Sequence, residues 1–286
     1  MRILRYRFCN ILFEFNTDID KIAQYMDTLF GKHADVSMDA ASVRVIIDGQ
    51  CNEGFITLSS AFHTTKKAMI QEQNETYYAI LNVETINAPD SLYYHFAAPL
   101  LKYSLKKRGF LYLHSAGARI NGKGCLFLGH RNAGKSTLSL LNLLHGGDFL
   151  SDDLVYIREQ YAHTIYRPIH IDPDMARNLG VGDRVSKEDR YLKDEVEVNY
   201  YQEEYHQGQI LREMKVEQII YLQLSDCEDL RYQHILNSTK KENMLLEYIG
   251  EEVAHTFMNL LELPHSTLVW SKSATYDFSL ITRLIT

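Results

Sequence analysis

The chain has 286 residues, 45% of them apolar and 23% charged, a balance that excludes disordered, collagen-like and low-complexity architectures. Thirty Lys and Arg against thirty-seven Asp and Glu leave a net charge of −7. A duplex-binding protein carries a basic surface to displace counterions, and a bilayer span needs roughly eighteen uncharged apolar residues, so neither nucleic acid nor a membrane is an expected partner.

The opening MRILRYRFCNILFEFN is interrupted by Arg5, Arg7 and Glu14, so it does not read as a secretory signal. Its alternation through Ile3, Tyr6, Phe8, Ile11, Phe13 and Phe15 predicts a strand pair over residues 2–15. Residues 20–30 place Ile22, Tyr25, Met26 and Phe30 on one helical face. VRVIIDG, GFITLSS and YYAILNVET read as β-rich runs. SLYYHFAAPLLKYSLKKRG reads as a helix capped by Asp90 or Ser91, kinked or started by Pro99 and stopped by Gly109. These elements describe a mixed α/β region over residues 1–100 with no catalytic spacing. Cys9, Cys51, Cys125 and Cys227 lie far apart without a CxxC, so buried thiols in a reducing cytoplasm are expected.

The second region, residues 101–286, carries the chemistry. GFLYLHSAGARI reads as a strand, Asn121-Gly122 as a tight turn and CLFLGH as the returning strand. GHRNAGKST follows, then a helix with Leu138, Leu141 and Leu144 on one face, ended by Gly146 and Gly147, then the strand FLSDDLVYI. Strand, loop, helix, strand is the context that a phosphate-binding loop requires.

Gly129, His130, Arg131, Asn132, Ala133, Gly134, Lys135 and Ser136 fit G-x-x-x-x-G-K-[ST] in full, and Thr137 follows. Backbone N–H groups meet phosphate oxygens only where the tight points lack a bulky Cβ, which Gly129 and Gly134 provide. Lys135 bridges the β- and γ-phosphates of ATP, and the Ser136 hydroxyl ligates Mg²⁺. Asn132 stands where a third glycine is common and tolerates a positive φ better than most residues. Seventeen residues after Lys135, Asp152 and Asp153 follow an apolar run. Adjacent strand residues point to opposite faces, so the two share a task only at a strand end. There one holds Mg²⁺ or its water while the other meets an acceptor hydroxyl.

Residues 111–157, with His114-Ser115-Ala116, NGKG, GHRNAGKST and LSDDLVYI, resemble the nucleotide-binding core of HPr serine kinase/phosphorylases and ATP-dependent phosphoenolpyruvate carboxykinases. The chain is short for a carboxykinase and is more similar to the short HPr-kinase-like proteins of peptide-modification gene sets, including kinases of lasso-peptide precursors. The resemblance implies an α/β fold with an HPr-kinase-like phosphate-loop domain, and ATP·Mg²⁺-dependent phosphorylation of a serine on a peptide or small protein. It implies Asp152 as the general base and Asp153 as metal support, with the reverse division left open, and places His114 near the phosphates. The glycine- and arginine-containing loop that supports phosphorolysis in the bifunctional enzymes has no counterpart here, which implies kinase action only, on a substrate other than HPr. A free metabolite as acceptor and a non-catalytic nucleotide-binding regulator are the alternatives.

Residues 183–206 hold eight acids, four Lys or Arg and four Tyr, and read as a solvated segment or as a lid in which Arg184, Arg190 or Lys193 neutralises the phosphoryl group. Arg167-Pro168 reads as a strand-end turn or a similar cation. Leu245, Ile249, Val253, Phe257 and Leu260 recur at helical spacing over residues 240–263, as core packing or the seam of a homo-oligomer.

Overall fold

The computed structural model describes residues 1–47, 56–57, 68–84, 86–165, 167, 169–183, 185–186, 198–200, 209–225, 230–249, 254–271 and 278–285. Arg184, Arg190 and Lys193, Pro168, Val253, Cys51 and Cys227 fall outside these residues. The chain forms two compact units, Met1–Arg108 and Gly109–Thr286. Both mix strands and helices, and the fold is α/β.

In the first unit Arg2–Phe8 and Ile11–Thr17 form the predicted hairpin, turning at Cys9 and Asn10, both with positive φ. Its sheet continues in parallel through Val43–Ile47 and Thr76–Leu81, then antiparallel through Ala68–Gln73 to Ile56–Thr57. The strand Ala68–Gln73 escapes sequence inspection because AMIQEQ alternates weakly; Asn74 and Glu75, in the left-handed region, pair it with the next strand. Tyr6, Phe8, Phe13 and Phe15 point to one face and pack with Phe30 of the helix Asp20–Phe30, the Phe8 and Phe30 rings lying 5.0 Å apart.

The second helical segment departs from expectation at its start and meets it at Pro99. It begins at Pro89, with Ala88 rather than Asp90 or Ser91 at the cap position. Residues Tyr93–Ala97 form a π-turn, and the α-helix Ala98–Lys106 resumes with Pro99 in its first turn. Proline lacks the N–H needed to continue an i→i−4 ladder, so the wider turn before it absorbs the break. Gly109 stops the helix at φ 78°.

The second unit is built on a six-stranded mixed sheet in the order Asp148–Ser151, Ala116–Ile120, Lys123–Leu128, Gln218–Leu224, His265–Trp270, Arg231–Ile235. The three strands Lys123–Leu128, Gln218–Leu224 and His265–Trp270 are parallel. A four-stranded antiparallel sheet (Glu213–Lys215, Tyr161–His163, Leu154–Arg158, Leu111–His114) lies over one face. Leu126, Leu128, Ile219 and Tyr221 meet Leu113, Val155 and Ile157 between the two sheets. On the other face Cys125, Phe127, Ile220 and Leu222 meet Leu138 and Leu141 of the helix Lys135–Leu144. Lys123–Leu128 is thus buried on both sides, as the central strand of a parallel group is. Asn121 and Gly122 make the tight turn before it, at φ 50° and 81°.

Two runs predicted as single strands are each split between the sheets. Leu111–His114 belongs to the four-stranded sheet and Ala116–Ile120 to the six-stranded one, with Ser115 at the crossing. Asp148–Ser151 and Leu154–Arg158 divide in the same way, with Asp152 and Asp153 at the crossing. Apolar alternation continues through both breaks, so periodicity alone cannot show them. The run 240–263 likewise divides into helices Ser238–Leu246 and Ala254–Leu261. Leu245, Ile249 and Leu260 pack between the sheets, and Phe257 packs against that cluster.

Candidate functional site

The loop Gly129–Gly134 joins the strand Lys123–Leu128 to the helix Lys135–Leu144. Its turns require left-handed backbone at Asn132 (φ 65°) and Gly134 (φ 94°). The first is met by the residue type that best tolerates it after glycine, the second by glycine itself. Gly129 answers a different demand. A Cβ there would lie 2.8 Å from the Ala133 Cβ and 3.0 Å from the Leu222 carbonyl oxygen, so only glycine lets the loop leave the sheet so closely.

Lys135 opens the helix and is buried. Its Nζ donates to the Gly129 carbonyl at 2.8 Å and to the His130 carbonyl at 3.2 Å, spanning the mouth of the loop. Burial lowers the Lys135 pKa below the usual lysine value, and the negative charges of Asp153 and Asp152 oppose that shift. Ser136 is half-buried, Thr137 is buried, and Arg131 and Asn132 are exposed at the loop tip. The His130 ring, also exposed, is 3.2 Å from the Glu247 carboxylate and lies beside Tyr248.

The two acids stand at a chain crossing. Ser151 Oγ donates to the Leu154 carbonyl at 2.8 Å and accepts from the Leu154 N–H at 3.3 Å, closing the bend around Asp152 and Asp153. Cross-strand pairing of Leu154 with His114 brings the second crossing alongside the first. His114 Nδ1 lies 2.9 Å from Asp153 Oδ1. Asp152 is buried at 4% exposure and Asp153 is half-buried. The structure therefore joins His114, Lys135, Asp152 and Asp153 into one neighbourhood, although the first and last are separated by 39 positions.

A shallow cleft opens beside the pair, lined by Phe149–Leu154 with Thr164, Ile165 and Arg167. Thr164 and Ile165 carry no sequence signal. They reach the site because Tyr161–His163 pairs with Leu154–Arg158 and delivers the following residues to the crossing. Trp270 also escapes sequence analysis. Its Nε1 donates to the Ala133 carbonyl at 2.9 Å across 137 positions of sequence.

Among the described residues no cluster of three or more His, Cys, Asp or Glu side chains forms a metal cage. Mg²⁺ does not call for one. It is bound through one or two protein oxygens with waters and substrate phosphates, and the hard donors Ser136, Asp152 and Asp153 fit that habit. Among the described residues no helix is long and apolar enough to cross a membrane, and Cys9 and Cys125 are buried thiols outside any disulfide.

No family model matches the chain, and no curated protein matches it. Among solved structures the chain is similar to the HPr(Ser) kinase/phosphatase from Coxiella burnetii, at 14% identity over 61% of this chain and 93% of that one, with a TM-score of 0.33. That value is too low to carry fold or function. The α/β fold is read from the sheets, and the chemistry from residues 114 and 129–153.

Proposed function

We propose that the second unit is an ATP·Mg²⁺-dependent kinase that phosphorylates a serine hydroxyl of a peptide or small protein in the cytoplasm. The observation that supports this most is the meeting of the loop with the crossing. A phosphate-accepting turn, with left-handed Asn132 and Gly134, ends on a buried lysine within the field of two carboxylates. A cleft beside those carboxylates, walled by Thr164, Ile165 and Arg167, gives an acceptor side chain access to them.

The N–H groups of the loop and of the first helical turn receive the β-phosphate, which the positive helix end favours. Lys135 exchanges the Gly129 and His130 carbonyls for β- and γ-phosphate oxygens. Asp152 takes the proton of the acceptor hydroxyl as its oxygen bonds to the γ-phosphorus and the bond to the β–γ bridging oxygen breaks, leaving ADP. Phosphoryl transfer needs little beyond such positioning and charge neutralisation. Asp153, held by His114, and Ser136 would hold Mg²⁺, which supplies charge neutralisation on the phosphate oxygens when bound. The buried Asp152 carboxylate in the cleft wall favours transfer over a purely regulatory switch.

The test is product analysis. Purified protein is incubated with γ-labelled ATP, Mg²⁺ and serine peptides, first among them any short precursor peptide encoded beside its gene. Label on peptide serine is the expected result. Label on a small metabolite alone would move the acceptor class, and slow ADP release with no labelled acceptor would leave a nucleotide-binding regulator. Incubating the phosphopeptide with Mg²⁺ and millimolar phosphate should yield no pyrophosphate.

A further inference from the structure

Trp270 is the one tryptophan of the chain and is buried, 1% exposed, at the end of the strand His265–Trp270. One strand, Gln218–Leu224, lies between it and the strand that feeds the loop. Two contacts join the indole to the loop. Its N–H donates to the Ala133 carbonyl at 2.9 Å, and its six-membered ring lies so close to Gly134 that any Cβ there would collide with it.

The first contact has a consequence for the ligand side of the loop. The Ala133 carbonyl and the Gly134 N–H belong to one planar trans peptide, so they point in opposite directions. A donor that holds the carbonyl toward the indole turns the Gly134 N–H the other way, away from the core. Rotating this peptide by half a turn would aim a carbonyl, not an N–H, at an incoming phosphate. Glycine at φ 94° permits that rotation more readily than any other residue. A loop whose glycine is needed for its shape therefore needs something else to fix its peptide.

We propose that Trp270 is that positioning residue: it locks the Ala133–Gly134 peptide with its N–H facing the anion and so sets affinity for the diphosphate part of the nucleotide. This rests on the phosphate-loop reading above. It adds a specificity element that touches no substrate atom and concerns the β-phosphate alone. The indole ring simultaneously blocks any side chain at position 134.

Calorimetry on the full chain with Mg·ADP and, separately, with pyrophosphate tests it. Trp270→Phe keeps a ring and removes the N–H. We expect it to weaken both ligands alike, by about tenfold, the scale of one lost hydrogen bond. A merely structural role would lower the melting temperature and leave the affinity of the folded protein unchanged. Wild-type affinity in the variant overturns the proposal, as does loss of ADP binding with pyrophosphate binding intact. Should wild-type protein bind neither ligand, the phosphate-loop reading falls first and this one with it. Should the variant fail to fold, wild-type emission decides: with one tryptophan, it should shift on pyrophosphate titration with the calorimetric midpoint. Flat emission through that transition overturns the proposal.

Discussion

The two units handle buried charge in opposite ways. In the first, Glu14 is mostly buried in the sheet and lies between Arg5 at 2.8 Å and Arg44 at 3.2 Å. The hydrogen bond from Arg5 lowers its pKa against the opposing effect of burial. Arg7 is matched in the same manner by Asp35 at 2.5 Å and Asp39 at 3.1 Å. In the second unit Lys135 is as buried as Glu14, yet its Nζ donates to two backbone carbonyls, and burial lowers its pKa. A charge matched by partners of its own unit holds a fold together. A buried ammonium resting on carbonyls, with two acids in its field, is held ready for a stronger acceptor.

Removing each charge should break this comparison in a different place. Lys135→Ala has the largest expected effect: transfer is abolished, because no other cation of the loop occupies its mouth. Removal of a single preorganised electrostatic group costs about a hundred- to a thousandfold, and here nucleotide affinity falls as well. The variant should fold normally, since among the described residues Lys135 Nζ rests on two backbone carbonyls rather than in an ion pair. Wild-type turnover in a γ-phosphate transfer assay would place the chemistry elsewhere.

The carboxylates come next. Asp152→Asn removes the proton acceptor and should lower kcat by about a hundred- to ten-thousandfold while nucleotide binding survives. Asp153→Asn should instead raise the Mg²⁺ concentration needed for half-maximal rate. The paired titration separates them, and an exchange of the two outcomes would exchange the roles. Asp153 is the member tied to His114, so His114→Gln should repeat the Asp153→Asn phenotype in weaker form.

Sequence inspection reads these two halves of the site unequally. The loop is contiguous, and its glycines, Asn132 and Lys135 state their backbone demands residue by residue. The crossing is not contiguous. Asp152 and Asp153 are visible as a pair, but the apolar runs on either side continue without a break where the chain changes sheets. Family resemblance places His114 only near the phosphates, and it is the register of Leu154 against His114 that sets it beside Asp153. Trp270 belongs to a strand distant in sequence, Thr164 and Ile165 follow the strand Tyr161–His163, and nothing in their own neighbourhoods marks them. Local backbone chemistry was legible; long-range register was not.

A smaller effect tests the structural half of the comparison. Glu14→Gln leaves Arg5 and Arg44 without their shared carboxylate. It should cost about 1–3 kcal/mol, the scale of hydrogen bonds to a charged group, and lower the melting temperature. Nucleotide affinity should stay at the wild-type value. A fall in affinity at unchanged stability would show that Glu14 belongs to function after all.

The last and smallest effect is a shift along the pH axis. Burial depresses the Lys135 pKa below 10.5, and Asp153 and Asp152 partly restore it. Only the protonated amine attracts phosphate, so kcat/KM should decline on an alkaline limb that begins below 10.5. A bound phosphate favours the charged form, so the limb in kcat should lie at higher pH than the limb in kcat/KM. Asp153→Asn withdraws one restoring charge and should move the kcat/KM limb to lower pH. Unfolding cannot imitate this through the same group. Between the depressed pKa and 10.5 the unfolded chain binds more protons at Lys135 than the folded one, so this residue's contribution to stability rises with pH while affinity falls. Rate profiles for wild type and Asp153→Asn, with melting temperatures taken at each pH, measure both trends. A limb at or above 10.5, or one that Asp153→Asn leaves in place, would mean that Lys135 is not the buried, acid-coupled cation of the site.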